Sequence, residues 1–64
     1  MRKTTEAETQ VRAILARGRT LAWIADQIGV TTRSVEGWMR ERRTPQPRAA
    51  RELAALAFKE GVGR

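Results

Sequence analysis

Four short apolar stretches, each at helical spacing, are separated in this sequence by residues that end helices. Gly18, Gly29 and Gly61 follow three of the stretches, and residues 44–47 (TPQP) separate the third from the fourth. Glycine accommodates the left-handed backbone that ends many helices, and proline disfavours helix at the residue before it. Runs of alternating apolar and polar residues, which would indicate strands, are lacking. The pattern therefore predicts an all-α chain of four short helices.

Polar residues that cap helices stand where these helices should begin. The candidate threonine caps are Thr5, Thr20 and either Thr31 or Thr32. Glu8, three residues after the first of them, completes a capping-box pattern and predicts a first helix over about residues 6–17. Pro47 suits the first position of the fourth helix. The ends of the chain, residues 1–4 and 62–64, are expected to fray.

The apolar positions of the four stripes form one predicted core. It consists of Val11, Ile14, Leu15, Leu21, Ile24, Ala25, Ile28, Val30, Val35, Trp38, Leu53, Leu56 and Ala57, with Met39 beside them. Sixty-four residues allow a single domain, and a domain this small buries only about 60% of its unfolded surface. Trp38 is expected in the core, with base stacking as the alternative.

Composition narrows the classes of function. The chain has no His and no Cys, which excludes Ser-His-Asp and Cys-His catalysis and cysteine-based zinc sites, so we expect no enzyme, no cofactor and no metal. No segment approaches the ~20 apolar residues of a membrane span, and we expect a cytoplasmic protein without membrane contact.

The net charge is +6, and 11 of the 13 basic residues are arginine, which pairs with phosphate and with guanine edges. Nucleic acid is therefore the first candidate partner, and a merely solvated basic surface is the alternative.

The stretch from Thr20 to Trp38, TLAWIADQIGVTTRSVEGW, carries the functional signal. Ala25 is small enough for a close helix crossing, and Gly29 supplies the turn between the two helices. Apolar residues fill the wedge between them. This is the pattern of a helix-turn-helix, in which the second of the two helices enters the major groove of DNA.

The same stretch resembles the helix-turn-helix of the phage repressor and Cro (XRE-type) family. The resemblance continues through residues 42–45 (RRTP) and the Ala- and Leu-rich fourth helix, covering about residues 8–58. It implies a compact four-helix domain of lambda-repressor-like type, residues 1–64, with the fifth helix short or absent. Met39 and Glu41 stand where the family usually has Glu and Gly, so the third helix is expected to extend over about residues 32–42.

The resemblance also implies roles for individual side chains. The candidates for base readout are Thr32, Arg33, Glu36 and Gly37. The candidates for contacts with the DNA backbone are Thr20, Leu21, Thr31, Ser34, Arg40, Arg42 and Arg43. Arg33 can pair with guanine or hold a phosphate, and Glu36 can accept from cytosine or orient a neighbouring arginine. For Gly37, close approach of the backbone to DNA and a neutral loss of the side chain stay open.

Candidates for a protein interface are Trp23, Phe58 and Val62. On helical spacing, Trp23 should be at least half exposed, against DNA, a partner subunit or an arginine stem, and simple edge packing against the first helix is the alternative. The leading prediction is a sequence-specific regulator that binds double-stranded DNA, a phage-like repressor or Cro acting as a homodimer on a two-fold operator. The alternative is a protein-interaction module on the same scaffold, such as an antitoxin or a phage factor that binds RNA polymerase. RNA binding is disfavoured because exposed aromatic pairs for base stacking are missing.

Overall fold

A computed structural model of the chain describes residues 5–61, and within that part it contains four helices and no strand. The helices are α1 (Glu6–Ala16), α2 (Leu21–Ile28), α3 (Thr32–Arg40) and α4 (Pro47–Lys59). The prediction of an all-α chain with four short helices is confirmed. The expectation that residues 1–4 and 62–64 fray concerns residues outside the described part.

The predicted threonine caps are in place. Thr5 Oγ1 accepts a hydrogen bond of 3.1 Å from the backbone N–H of Glu8. Thr20 Oγ1 accepts one of 3.0 Å from Trp23 N–H, and Thr31, rather than Thr32, caps α3 by accepting from Ser34 N–H at 3.1 Å. Each bond satisfies one of the amide groups that the first turn of a helix leaves without a partner. Pro47 occupies the first turn of α4, as predicted.

The ends of the helices confirm two predictions and correct one. Gly29 follows α2 with φ +74°, and the N–H of Val30 donates to the Ala25 carbonyl at 3.0 Å, as in a Schellman motif. Similarly, α1 ends within one residue of the predicted boundary. The expected extension of the third helix over about residues 32–42 is wrong, because α3 ends at Arg40 and Glu41 is its C-cap. Arg42 then adopts a left-handed φ of +54°, a backbone conformation that from sequence alone would be expected at a glycine.

The core lies where the four apolar stripes meet. Its fully buried members include Val11 and Ile14 of α1, Ile24 of α2, and Leu53 of α4. Every residue of the predicted core is buried or packs against the buried cluster, and Trp38 is confirmed as a core residue at 6% exposure. Both α1 and α2 pack against α3 and α4, so α3 is held from two sides.

One buried residue is a surprise. Glu8 is 1% exposed, although the sequence pattern marks it only as a partner in helix capping. Its Oε2 lies 3.0 Å from Nε of Arg12, one turn further along α1, and the arginine side chain is 57% exposed. The arginine therefore reaches from solvent to the buried carboxylate, and this ion pair offsets part of the cost of burying the charge.

Candidate functional site

The turn between α2 and α3 fixes how α3 is presented. It consists of residues 29–31, in which Gly29 reverses the chain and Thr31 starts α3. Ala25 is 3% exposed and Val35 is fully buried, so the predicted contact between the two helices is present. Val35, Trp38 and Met39 anchor the inner face of α3 in the core, which leaves its opposite face outward.

The first turn of α3 is open to solvent. Thr32, Arg33 and Ser34 are all exposed. Within the described residues Arg33 forms no ion pair, and the first turn of α3 contains no acidic residue. The amino end of a helix carries the positive pole of its dipole, which disfavours a cation there by about 0.3–1 kcal/mol. The guanidinium of Arg33 is therefore exposed and without an ion-pair partner among the described residues, at a position where its charge does not stabilise the helix.

The second turn of α3 brings two further candidates together. Nε of Arg40 lies 3.2 Å from Oε2 of Glu36, and their side chains are 66% and 43% exposed. This is the i,i+4 arrangement in which Glu36 orients a neighbouring arginine, one of the two interpretations that the sequence left open. The carboxylate is therefore engaged within the helix in the structure of the free chain.

Most of the hydroxyl side chains that are candidates for contacts with the DNA backbone act as helix caps in the structure. Thr20 is exposed but accepts from Trp23 N–H, and Leu21 beside it is half-buried against the core. Thr31 accepts from Ser34 N–H and also donates its hydroxyl hydrogen to Ser34 Oγ at 3.0 Å. Both hydroxyl groups at the start of α3 are thus held in fixed positions at the solvent surface.

Gly37, one of the four candidates for base readout, does not lie on the open surface of α3. It is buried, and a Cβ at this position would lie 3.2 Å from Cδ of Arg43 and 3.8 Å from Oε1 of Glu41. The side chain of Arg43 folds back over α3 from the segment after the helix. Sequence reasoning missed this contact because it depends on the left-handed Arg42, which no local pattern indicates.

A cleft of about 650 Å³ opens between α3 and the segment that leads into α4. Three arginines from the candidate list line it: Arg33, Arg40 and Arg43. Thr31, Ser34 and Trp38 also line it, as do Glu36 and Glu41. The structure therefore brings three of the four predicted arginines and two of the predicted hydroxyl residues to one concave surface, while Arg42 and Thr20 are not part of its lining.

Trp23 differs from its prediction. It was expected to be at least half exposed, but it is partly buried and packs against the core. The guanidinium of Arg19 lies 4.3 Å from the centroid of its ring, a cation–π contact, and so covers the indole. Nε of Arg19 also lies 3.4 Å from Oε1 of Glu60, which ties the turn between α1 and α2 to the end of α4. The only sequence signal for the contact between Arg19 and Trp23 is that the two residues lie close together in the chain.

Phe58 is the exposed large apolar side chain of the described part, with 67% of its surface accessible on α4. It therefore remains a candidate for an interface. Val62, the third interface candidate, lies outside the described residues. Arg42 is partly buried directly after α3, next to the other basic candidates.

None of the helices between residues 5 and 61 has the length and apolar character needed to cross a membrane. The same residues contain no group of three or more acidic side chains placed to hold a metal ion. Comparison with protein-family models, with curated proteins and with solved structures gives no match. What the fold and the site define is therefore a small four-helix domain whose third helix exposes a basic, polar face.

Proposed function

We propose that this protein binds double-stranded DNA, with α3 in the major groove, and acts as a repressor- or Cro-like regulator of transcription. The support is the exposed first turn of α3 on a rigid base. An α-helix fits the width of the major groove, and residues near the amino end of such a helix reach base edges. Val35 and Trp38 fix the inner face of α3, so its outer face keeps one orientation.

Arg33 carries the proposal. Its exposed guanidinium, free of ion pairs within the described residues, stands at the end of α3 where the helix dipole disfavours it. A polyanion at this surface would offset that cost. Arginine also pairs with guanine through two parallel hydrogen bonds, the commonest specific contact in the major groove. Thr32 beside it offers a methyl group for thymine.

Phosphate contacts on either side of α3 would set the position of the protein on the duplex. Arg40 and Arg42 lie at and just beyond the end of α3, and the exposed hydroxyl of Thr31 lies at its start. Contacts of this kind give affinity without reading the sequence. The net charge of +6 agrees with such a surface.

Two copies on one site are part of the proposal. A single α3 of nine residues spans few base pairs, and useful specificity then needs two half-sites about one turn of DNA apart. A homodimer on a two-fold operator meets that requirement.

Selection of bound sequences from a random pool of duplexes tests the proposal. The expected result is a palindromic consensus, with looser preference at one or two base pairs for Arg33→Ala. Lys59→Ala, which also removes one exposed positive charge but lies at the end of α4, is the matched control and should keep the consensus. Binding should also weaken with salt, with a log–log slope of about −3.6 per monomer if roughly four phosphates are contacted. A slope near zero and no enriched sequence would contradict DNA binding.

A protein-interaction module is the second candidate, and Phe58 favours it. Aromatic side chains are enriched at protein interfaces, and 67% of the surface of Phe58 is accessible for such a contact. The partly buried Trp23 and the buried Trp38 serve as reporters. Their fluorescence should respond to duplex DNA under the leading proposal, and to a protein partner alone under this one.

A further inference from the structure

The outer face of α3 has a gap in its row of side chains. Residues 33, 37 and 40 are three and four positions apart and therefore share one face of the helix. Arg33 and Arg40 occupy two of these positions, but Gly37 between them has no side chain. The stem of Arg43 covers the gap, since a Cβ at residue 37 would lie 3.2 Å from Cδ and 3.9 Å from Cγ of Arg43.

The backbone after α3 is folded to bring Arg43 to this place. The carbonyl of Gly37 accepts two hydrogen bonds, one of 2.9 Å from Glu41 N–H and one of 3.1 Å from Arg43 N–H. Between these two donors, Arg42 adopts φ +54°, a conformation that costs about 1–2 kcal/mol in a residue with a Cβ. The chain therefore maintains a locally unfavourable turn whose outcome is that Arg43 returns to α3.

The guanidinium of Arg43 is oriented but still accessible. Its Nε donates to Oε1 of Glu41 at 2.8 Å, and the arginine side chain is 74% exposed. A guanidinium has five N–H donors, so the two terminal amino groups keep four of them. These can form the pair of parallel hydrogen bonds that recognises N7 and O6 of guanine.

We propose that Arg43 reads a base edge from the position that the side chain of residue 37 would occupy, and that Gly37 is the positioning residue that makes room for it. This inference rests on the proposed binding of duplex DNA. It assigns to Arg43 a part in specificity, where the sequence alone suggested only a hold on the phosphate backbone. It also gives Gly37 a role that needs no contact with DNA.

The test compares two conservative variants, Arg43→Lys and Arg51→Lys. Lysine keeps the charge but replaces the rigid planar fork of donors with a flexible ammonium group, which weakens the paired contact with N7 and O6 of guanine. In selection from random duplexes, Arg43→Lys should reduce the preference for guanine at one base pair of each half-site, by up to about 150-fold, the limit set by complete loss of one bidentate contact. Arg51→Lys, at an exposed position of α4 to which no contact with DNA is assigned, should leave every base preference as in the original chain.

Gly37→Ala tests the positioning role. Alanine suits a helix, and its Cβ requires the stem of Arg43 to move by a few tenths of an ångström. We expect a weaker preference for guanine at the same base pair, and no additional loss when Gly37→Ala is combined with Arg43→Lys. In the absence of DNA, the NMR resonance of the Arg43 Nε–H group should shift in Gly37→Ala, while thermal denaturation verifies that the variant is folded.

Each contrary outcome identifies which idea fails. An unchanged guanine preference in Arg43→Lys, with a clear consensus for the original chain, overturns the reading role of Arg43 and leaves DNA binding intact. An unchanged preference in Gly37→Ala overturns the positioning role. No enriched sequence for the original chain overturns the proposed function and this inference with it.

Discussion

Two glycines on either side of Val35 should respond in opposite directions to the same substitution. Gly29 has a left-handed φ of +74°, whereas Gly37 lies within α3 and has a helical backbone. We predict that Gly29→Ala lowers the free energy of unfolding and that Gly37→Ala raises it. Because both variants add one methyl group, the difference isolates the backbone conformation.

The magnitude follows from two terms at each position. At Gly29 an added Cβ meets no heavy atom within 4 Å, so no steric clash enters. The left-handed conformation costs alanine about 1–2 kcal/mol. The reduced entropy of the unfolded chain returns about 0.4–1 kcal/mol. The net loss is therefore about 1 kcal/mol, or roughly 4–8 °C in Tm for a domain of this size.

At Gly37 the signs reverse. Alanine is favoured over glycine inside a helix by about 0.8–1 kcal/mol. The tight contact of 3.2 Å falls on the flexible stem of Arg43, which rotates away at little cost to the fold. A gain of about 0.5–1 kcal/mol should remain.

Thermal and urea denaturation followed by far-UV circular dichroism measure both changes. Gly29→Asn serves as a control, because asparagine tolerates the left-handed conformation better than alanine and should recover part of the loss. If Gly29→Ala and Gly37→Ala shift Tm in the same direction, the argument from backbone conformation is wrong.

Three further substitutions test the core, the helix dipole and the long-range ion pair. Leu53→Ala removes a fully buried side chain and should cost about 2–5 kcal/mol, much of the roughly 3–10 kcal/mol expected for a domain of 64 residues, so a Tm close to the original would contradict the assigned core. Arg33→Glu should raise stability by about 0.3–1 kcal/mol at low ionic strength while abolishing selection of duplex sequences, and a fall in Tm would contradict the argument from the dipole. Glu60→Gln removes the partner of Arg17 and Arg19, whose side chains are 55% and 45% exposed, and should cost about 0.5 kcal/mol at low salt. That cost should vanish in about 1 M salt, and its persistence there would refute an electrostatic origin.

Features set by neighbouring residues could be predicted from the sequence. The caps at Thr5, Thr20 and Thr31 and the end of α2 at Gly29 each depend on a few consecutive residues. The core could be predicted for a related reason, since apolar residues at helical spacing must share one buried face. The exposure of Arg33 follows once the opposite face of α3 is buried.

Features set by contacts between distant segments could not be predicted from the sequence. Trp23 is less exposed than helical spacing indicates because Arg19, held by Glu60 at the far end of the chain, lies over its ring. The left-handed turn at Arg42 has no sequence signal, since arginine has no preference for it. The end of α3 and the contact between Arg43 and Gly37 both depend on that turn, and both were missed.

If α3 enters the groove as proposed, the charged side chains on α3 and directly after it affect the affinity for DNA and the specificity for one sequence differently. Arg40 and Arg43 each lie beside a carboxylate, at 3.2 Å from Glu36 and 2.8 Å from Glu41. A carboxylate near DNA repels the phosphate backbone at every sequence, and for Glu41 this repulsion is offset where Arg43 beside it finds a guanine edge. Glu41 therefore weakens non-specific binding more than specific binding. That difference raises the ratio of the two affinities, which decides whether a regulator finds its site among the competing sequences of a genome.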